Sequence, residues 1–274
     1  MKRREQKLLE KRSHLSPSDL RFLVETVVTT RHDHDRVIEL ISDKPDILDE
    51  MLDDPKLADR LLNSDEAFAR VSPWMFFTVL LRRVATDLEQ KSFVYEIAAG
   101  GQRIPIFEAE QVAELLSDAT TRDYLADMLA AFTRTNSAVA YWEENGVLHK
   151  REFNDINMDD MIAVANVVKK ESRPALFKRI ADIALFLCGI YPDHAPLFIA
   201  CPQNAFRGRR TLQDYEAEGR RFYELAARET DPLHIRAACW TLSGHFTLAR
   251  RALNTLSDQY LKCFKPRQLP FPSA

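Results

Sequence analysis

Residues 72–88 read SPWMFFTVLLRRVATDL, and this stretch decides the fold. Ser72 and Pro73 are residue types that helix N-termini favour: a hydroxyl that accepts from free backbone amides, then a ring already at helical φ. Behind them Trp74, Phe77, Leu81, Val84 and Leu88 recur at intervals of three and four, the period of one helix face. The spacing predicts an amphipathic helix. Upstream, Ser16-Pro17 opens the same pattern over Leu20, Leu23, Val24, Val27 and Val28. Between the two, residues 43–66 hold nine acidic and three basic side chains, and Lys44-Pro45 and Asp54-Pro55 break the rhythm. That segment reads as short helical pieces with a solvated acidic surface, a face that a basic partner would fit.

Two places downstream lose the helical period. Phe93 to Ile97 and Arg103 to Phe107 flank the Gly100-Gly101 pair, and their β-branched and aromatic residues suggest a short hairpin. Val139 to Glu143 and Val147 to Phe153 flank Glu144-Asn145-Gly146, where Asn-Gly suits a type I′ turn. Helices are expected between the hairpins, at about Glu108 to Ser117 and Thr121 to Thr133, joined tightly through Asp118-Ala119-Thr120.

The C-terminal part returns to helix. Met158, Met161, Ile162 and Ala165 form a stripe behind Asn157, and Leu176, Ile180, Ile183, Ala184 and Leu187 form another that ends at Gly189. Ile183 to Ile190 is apolar on every helical face, which only the inside of a bundle satisfies. Thr211 with Asp214 resembles a capping box and opens a helix whose apolar face carries Gly219. Leu242, Phe246, Ala249, Leu253, Leu256, Tyr260 and Cys263 keep heptad-like spacing and predict one terminal helix, about Ser243 to Lys262. Its expected partner is the helix of residues 211–229, entered at Gly219, with a homodimer through the same seam as the rival. The fold class is therefore mainly α, an irregular multi-helix bundle with two short β-hairpins. It divides into an N-terminal helical region (1–135), a hairpin connection (136–156) and a C-terminal helical region (157–274), packed as one globular unit.

Composition narrows the function classes. With 274 residues and 46% apolar content the chain can build a large core. Seven glycines disfavour glycine-rich nucleotide folds and mostly-β architectures. Lys and Arg number 38 against 41 Asp and Glu, a net charge of −3, which removes the simplest argument for a nucleic-acid or membrane-surface protein. Met1 to Arg12 carries six basic and two acidic residues, with no apolar stretch of signal-peptide length behind it. Cys188, Cys201, Cys239 and Cys263 show no C-x-x-C and read as reduced thiols of a cytoplasmic protein. Trp74, Trp142 and Trp240, each in apolar surroundings, read as core or hairpin packing.

Three groups of residues suggest chemistry. His32, Asp33, His34 and Asp35 are the densest set of metal-ligand types, weak candidates because adjacent helical residues point apart. Their His-Asp pairing resembles, over two residues, the signature of the HD-type phosphohydrolases, which would imply a metal-dependent hydrolase. Arg207, Arg209 and Arg210 stand directly before the helix start at Thr211, where guanidiniums and free amides together suit a small anion; Asp214, Glu216 and Glu218 are close enough to pair with them instead. The order helix, turn, helix, hairpin over 108–153 is that of a winged helix-turn-helix, with His149, Lys150 and Arg151 on the wing as nucleic-acid candidates. No catalytic set of recognised spacing is present. The leading expectation is a cytoplasmic, non-catalytic interaction or regulatory protein acting through helical surfaces, with no cofactor and no membrane partner. A DNA-binding regulator and a metal-dependent hydrolase are the alternatives. Protein is the expected partner, ahead of a small anion, nucleic acid or a second copy.

Overall fold

The computed structural model describes residues 14–30, 33–42, 44–97, 102–134, 137–144, 147–154, 156–191 and 210–263. Residues 72–88 form a helix as their spacing predicts, Pro73–Glu89, with the Ser72 hydroxyl accepting from the Met75 amide at 3.2 Å. In chain order the helices before it are α1 (Pro17–Val27), α2 (His34–Ser42), α3 (Pro45–Leu52), α4 (Pro55–Asn63) and α5 (Asp65–Arg70), which makes Pro73–Glu89 α6. The antiparallel pair β1 (Val94–Ile97) and β2 (Arg103–Ile106) follows, in the register Val94 with Ile106 and Tyr95 with Pro105. Then come α7 (Ala109–Ser117), α8 (Ala119–Ala131) and the second hairpin, β3 (Ser137–Glu144) with β4 (Val147–Asn154). The chain closes with α9 (Met158–Val167), α10 (Arg173–Ile190), α11 (Leu212–Glu229), α12 (Leu233–Gly244) and α13 (Phe246–Gln259).

The fold is mainly α with short β-hairpins, as the periodicity predicts. Both expected turns, at Gly100-Gly101 and Asn145-Gly146, lie outside the described residues. The pairing of Glu144 with Val147 leaves two residues between the strands, the length of a tight hairpin connection.

Two buried helices organise the core. α6 carries apolar residues around most of its circumference, from Trp74 to Leu88, and packs on α3, α4, α7, α8 and α13. α10 is buried continuously from Ile180 to Ile190 and packs on α9, α11 and α13. One connected apolar core runs from Leu15 to Leu261. Burial also fixes thiol chemistry: Cys188 is fully enclosed and burial pushes its thiol up to about 12. Its alkylation by iodoacetamide in the native protein should then run roughly 1,000-fold or more below the rate in denaturant. Mass spectrometry of time-quenched samples checks this, and rapid native labelling would contradict it.

Local capping fixes the helix starts. Asp19 is fully buried: its Oδ2 accepts from the Ser16 amide at 2.8 Å and its Oδ1 from the Ser72 amide at 2.7 Å, so one carboxylate fastens the N-termini of α1 and α6 together. Asp118 is the whole connection between α7 and α8, shorter than the sequence suggests, and its carboxylate accepts from the amides of Thr120 and Thr121. Asn157 and Thr211 cap α9 and α11 as expected.

Two expectations about the terminal seam are corrected. It is not one helix, because the chain breaks at His245 between α12 and α13. The main neighbour of α13 is α10 rather than α11: Gly189, read as a helix stop, is a point of contact where an added Cβ would lie 2.6 Å from Leu253 Cβ. Gly219 does receive the seam, at one residue, since its missing Cβ would stand 2.3 Å from the Phe246 ring.

Candidate functional site

Trp240 is 60% exposed, which corrects its reading as core. α12 sits on α8 and α11 through Ala238, Cys239 and Leu242. Its opposite face carries Leu233, also 60% exposed, then Ala237, Trp240 and Gly244. These four recur at intervals of four, three and four, so they form one narrow stripe. An added Cβ at Gly244 would meet nothing within 4 Å. Arg236, on the flank, is tied to its own helix start, donating to the Thr230 carbonyl at 2.8 Å. The result is an apolar strip whose one adjoining cation, Arg236, is held at the helix start, unlike the separately exposed Val167 or Leu40.

The first hairpin makes a second apolar surface. Tyr95 and Ile104 are exposed and Phe107, just past β2, is 73% exposed. Phe93 braces this group, with its ring 5.2 Å from Tyr95 and 6.0 Å from Phe107, both edge-on. Beside Phe107 a groove of about 790 Å³ opens between the end of α6 and α7, over Leu88 and Ala113.

Beneath the hairpin the charges are spent on structure. Arg250, 3% exposed, donates to Glu216 and Glu96, both at 2.6 Å, and to Asn254 at 3.1 Å. Arg251 donates to the second Glu96 oxygen at 2.8 Å and to Glu108. Burial raises Glu96, yet the two guanidiniums outweigh it and hold the carboxyl below its usual range. These bonds tie β1, α7 and α11 to α13.

A second polar cluster lies deeper. Asp182, 2% exposed on α10, accepts from the Tyr124 hydroxyl at 2.7 Å, the Tyr223 hydroxyl at 2.8 Å and the Lys178 ammonium at 2.8 Å. Cys239 Sγ stands 3.8 Å from the Tyr124 hydroxyl. Burial and the Asp182 charge push both phenols well above their usual value and the Cys239 thiol to about 11, so all three remain protonated donors. The cluster works as a polar pin between α8, α10, α11 and α12.

The residues singled out in the sequence fall as follows. Arg207, Arg209 and His32 lie outside the described residues. Arg210 donates from Nη2 to Asp159 at 2.6 Å and from Nε to Glu218 at 2.9 Å, while Thr211 closes a capping box with Asp214. Asp33 is exposed, His34 begins α2, and Asp35 pairs with Arg21 at 2.6 Å. Among the described residues no group of three or more His, Cys, Asp or Glu side chains converges as a metal site. On β4 the backbones of His149, Lys150 and Arg151 pair with Trp142, Tyr141 and Ala140 of β3. α8, the would-be reading helix, has Ala131 exposed and Arg122, Asp123 and Asp127 half-buried. Among the described residues no helix is long and apolar enough to cross a membrane. Sequence reasoning missed the α12 strip, whose signal was the four-three-four spacing, and the Asp182 pin, whose signal was a lone acid in an apolar helix. Comparison with known proteins gives no match to any family model, curated protein or solved structure.

Proposed function

We propose that the protein is a non-catalytic interaction protein that self-associates through the outer face of α12. The observation that carries this reading is the symmetry of the strip. If two copies of α12 cross antiparallel about a two-fold axis between Ala238 and Cys239, Leu233 of one copy meets Gly244 of the other, and Ala237 meets Trp240. Every large side chain then faces a small one, the self-complementarity that an isologous contact requires. The four strip residues are apolar, and the adjoining Arg236 is engaged by Thr230 and Asp231 of its own helix start, so an apolar partner surface suits the strip and a second copy supplies one. One helix pair falls short of the roughly 1,200 Å² that stable interfaces bury, so the association belongs in the weak, micromolar class.

Sedimentation equilibrium from low micromolar to near-millimolar protein tests this. The parent should pass from monomer to dimer, and Trp240→Ala and Gly244→Leu should each move the midpoint at least tenfold upward. Cysteine introduced as Ala237→Cys should give a dimer with a short bismaleimide that the parent, under the same treatment, lacks. A parent that stays monomeric throughout, or a midpoint indifferent to Trp240→Ala, overturns the proposal.

A further inference from the structure

We infer that the groove between α6 and α7 is a docking site for a basic amphipathic segment of a partner protein, a surface separate from the α12 strip. The groove lies over Leu88 and Ala113, both buried, and its exposed apolar element is one wall, Phe107, which projects into solvent while Phe93 holds its ring. Apolar surface held open in this way gains free energy only when another apolar group covers it.

The rim determines what that group is attached to. Glu89 stands at the end of α6, and Glu110 and Glu114 stand one turn apart on α7, so all three carboxylates line the same opening. None of them makes a side-chain hydrogen bond or ion pair among the described residues, in contrast to the carboxylates Glu96, Glu108 and Glu216 nearby, which are all engaged by arginine. Lys91 also lines the groove, but its ammonium donates to Gln259 at 3.3 Å. Three carboxylates against one ammonium leave the rim net negative by two charges. An acidic rim beside the exposed Phe107 wall selects a ligand with apolar anchors on one face and Lys or Arg beside them. An acidic or neutral amphipathic segment would cover the same Phe107 wall against unpaired carboxylates and is disfavoured. The volume, about 790 Å³, accommodates several side chains rather than one.

Fluorescence anisotropy with the full chain tests the assignment. The probe is a labelled peptide with leucines at i, i+3, i+4 and i+7 and lysines at the remaining positions, and the comparison is the same peptide with glutamate for lysine. The lysine peptide should bind, weaken as salt rises, and lose at least tenfold in affinity with Phe107→Ala and with the pair Glu110→Lys and Glu114→Lys. That charge-reversed pair should instead take up the glutamate peptide. These positions are exposed or partly so, and unchanged thermal midpoints show that the variants are folded. Equal binding of both peptides, no binding of the lysine peptide, or binding indifferent to the charge reversal each overturns the inference. The oligomeric state of the charge-reversed pair should match that of the parent, so failure here is distinguishable from failure of the α12 reading.

Discussion

Replacing Asp182 with alanine should destabilise the protein by about 3 to 5 kcal/mol, the range for removing one partner of a buried charged cluster. The size follows from what remains behind. Tyr124 and Tyr223 are 4% and 0% exposed, and both hydroxyls donate to the same Asp182 oxygen, so neither finds water when the carboxylate goes. Lys178 is more forgiving, since its side chain is 30% exposed and can be rehydrated. Asp182→Asn should cost less, about 1 to 3 kcal/mol, because its amide oxygen still accepts from the phenols while its NH₂ is turned on a cation. Tyr124→Phe and Tyr223→Phe should each cost about 1 kcal/mol, as each removes a donor and leaves the acceptor with its other partners. Urea denaturation of the four variants, with unchanged slopes, gives these differences directly. A loss below about 1 kcal/mol for Asp182→Ala would mean that water or side-chain relaxation reaches the phenols, and the cluster would then not be the pin between its four helices.

Much of this architecture is legible because its causes are local. Ser72-Pro73, Ser16 with Asp19, Asn157, and Thr211 with Asp214 announce helix starts through bonds made within three residues, and each of these caps is present. The features that elude the sequence are those whose partners are remote. Arg250 and Arg251 are adjacent cations on one helix with no local carboxylate to pair them, and their acceptors Glu96 and Glu108 come from some 150 residues away and from different elements. The break at His245 is hidden because Leu242 and Phe246 are four apart, a spacing that a continuous helix satisfies equally well; only Gly244 hints at a stop. The apolar surroundings of Trp240 include Cys239 and Leu242, but in a helix a residue shares its face with positions three and four away, not with those beside it. By that rule Trp240 belongs with Leu233 and Ala237, on the exposed side. The candidate surfaces are thus half legible: the apolar residues are visible, and the face they share depends on which side the rest of the bundle occupies.

Gly189→Ala and Leu253→Ala together test the joint that holds the C-terminal half. Leu253 is fully buried, and its truncation should cost about 2 to 5 kcal/mol through lost transfer energy and the cavity left behind. Gly189→Ala acts oppositely, by crowding. Its new Cβ would stand 2.6 Å from Leu253 Cβ and 2.8 Å from Leu253 Cδ1, and the first of these belongs to the stem of the side chain and cannot swing aside. Relief by separating α10 and α13 is resisted. The Asn254 amide donates to the carbonyls of Cys188 at 2.9 Å and Gly189 at 2.7 Å, and the Ser257 hydroxyl donates to Ile190 at 2.9 Å. These carbonyls are the otherwise unpaired acceptors at the end of α10, so moving α13 away strands them. Overpacking of this kind costs about 1 to 3 kcal/mol, and the stranded carbonyls place Gly189→Ala at or above the top of that range. In the double variant the lost Cδ1 and Cγ make room, while the Cβ contact persists. The combined loss should therefore fall short of the sum of the single losses by about 1 kcal/mol without vanishing, a coupling that only groups in contact produce. The losses should not depend on protein concentration in the range where the parent is monomeric, because Leu253, Ala249 and Leu256 are covered by the chain's own helices. Strict additivity, or a midpoint that recovers on concentration, would place the Leu253 face between subunits instead.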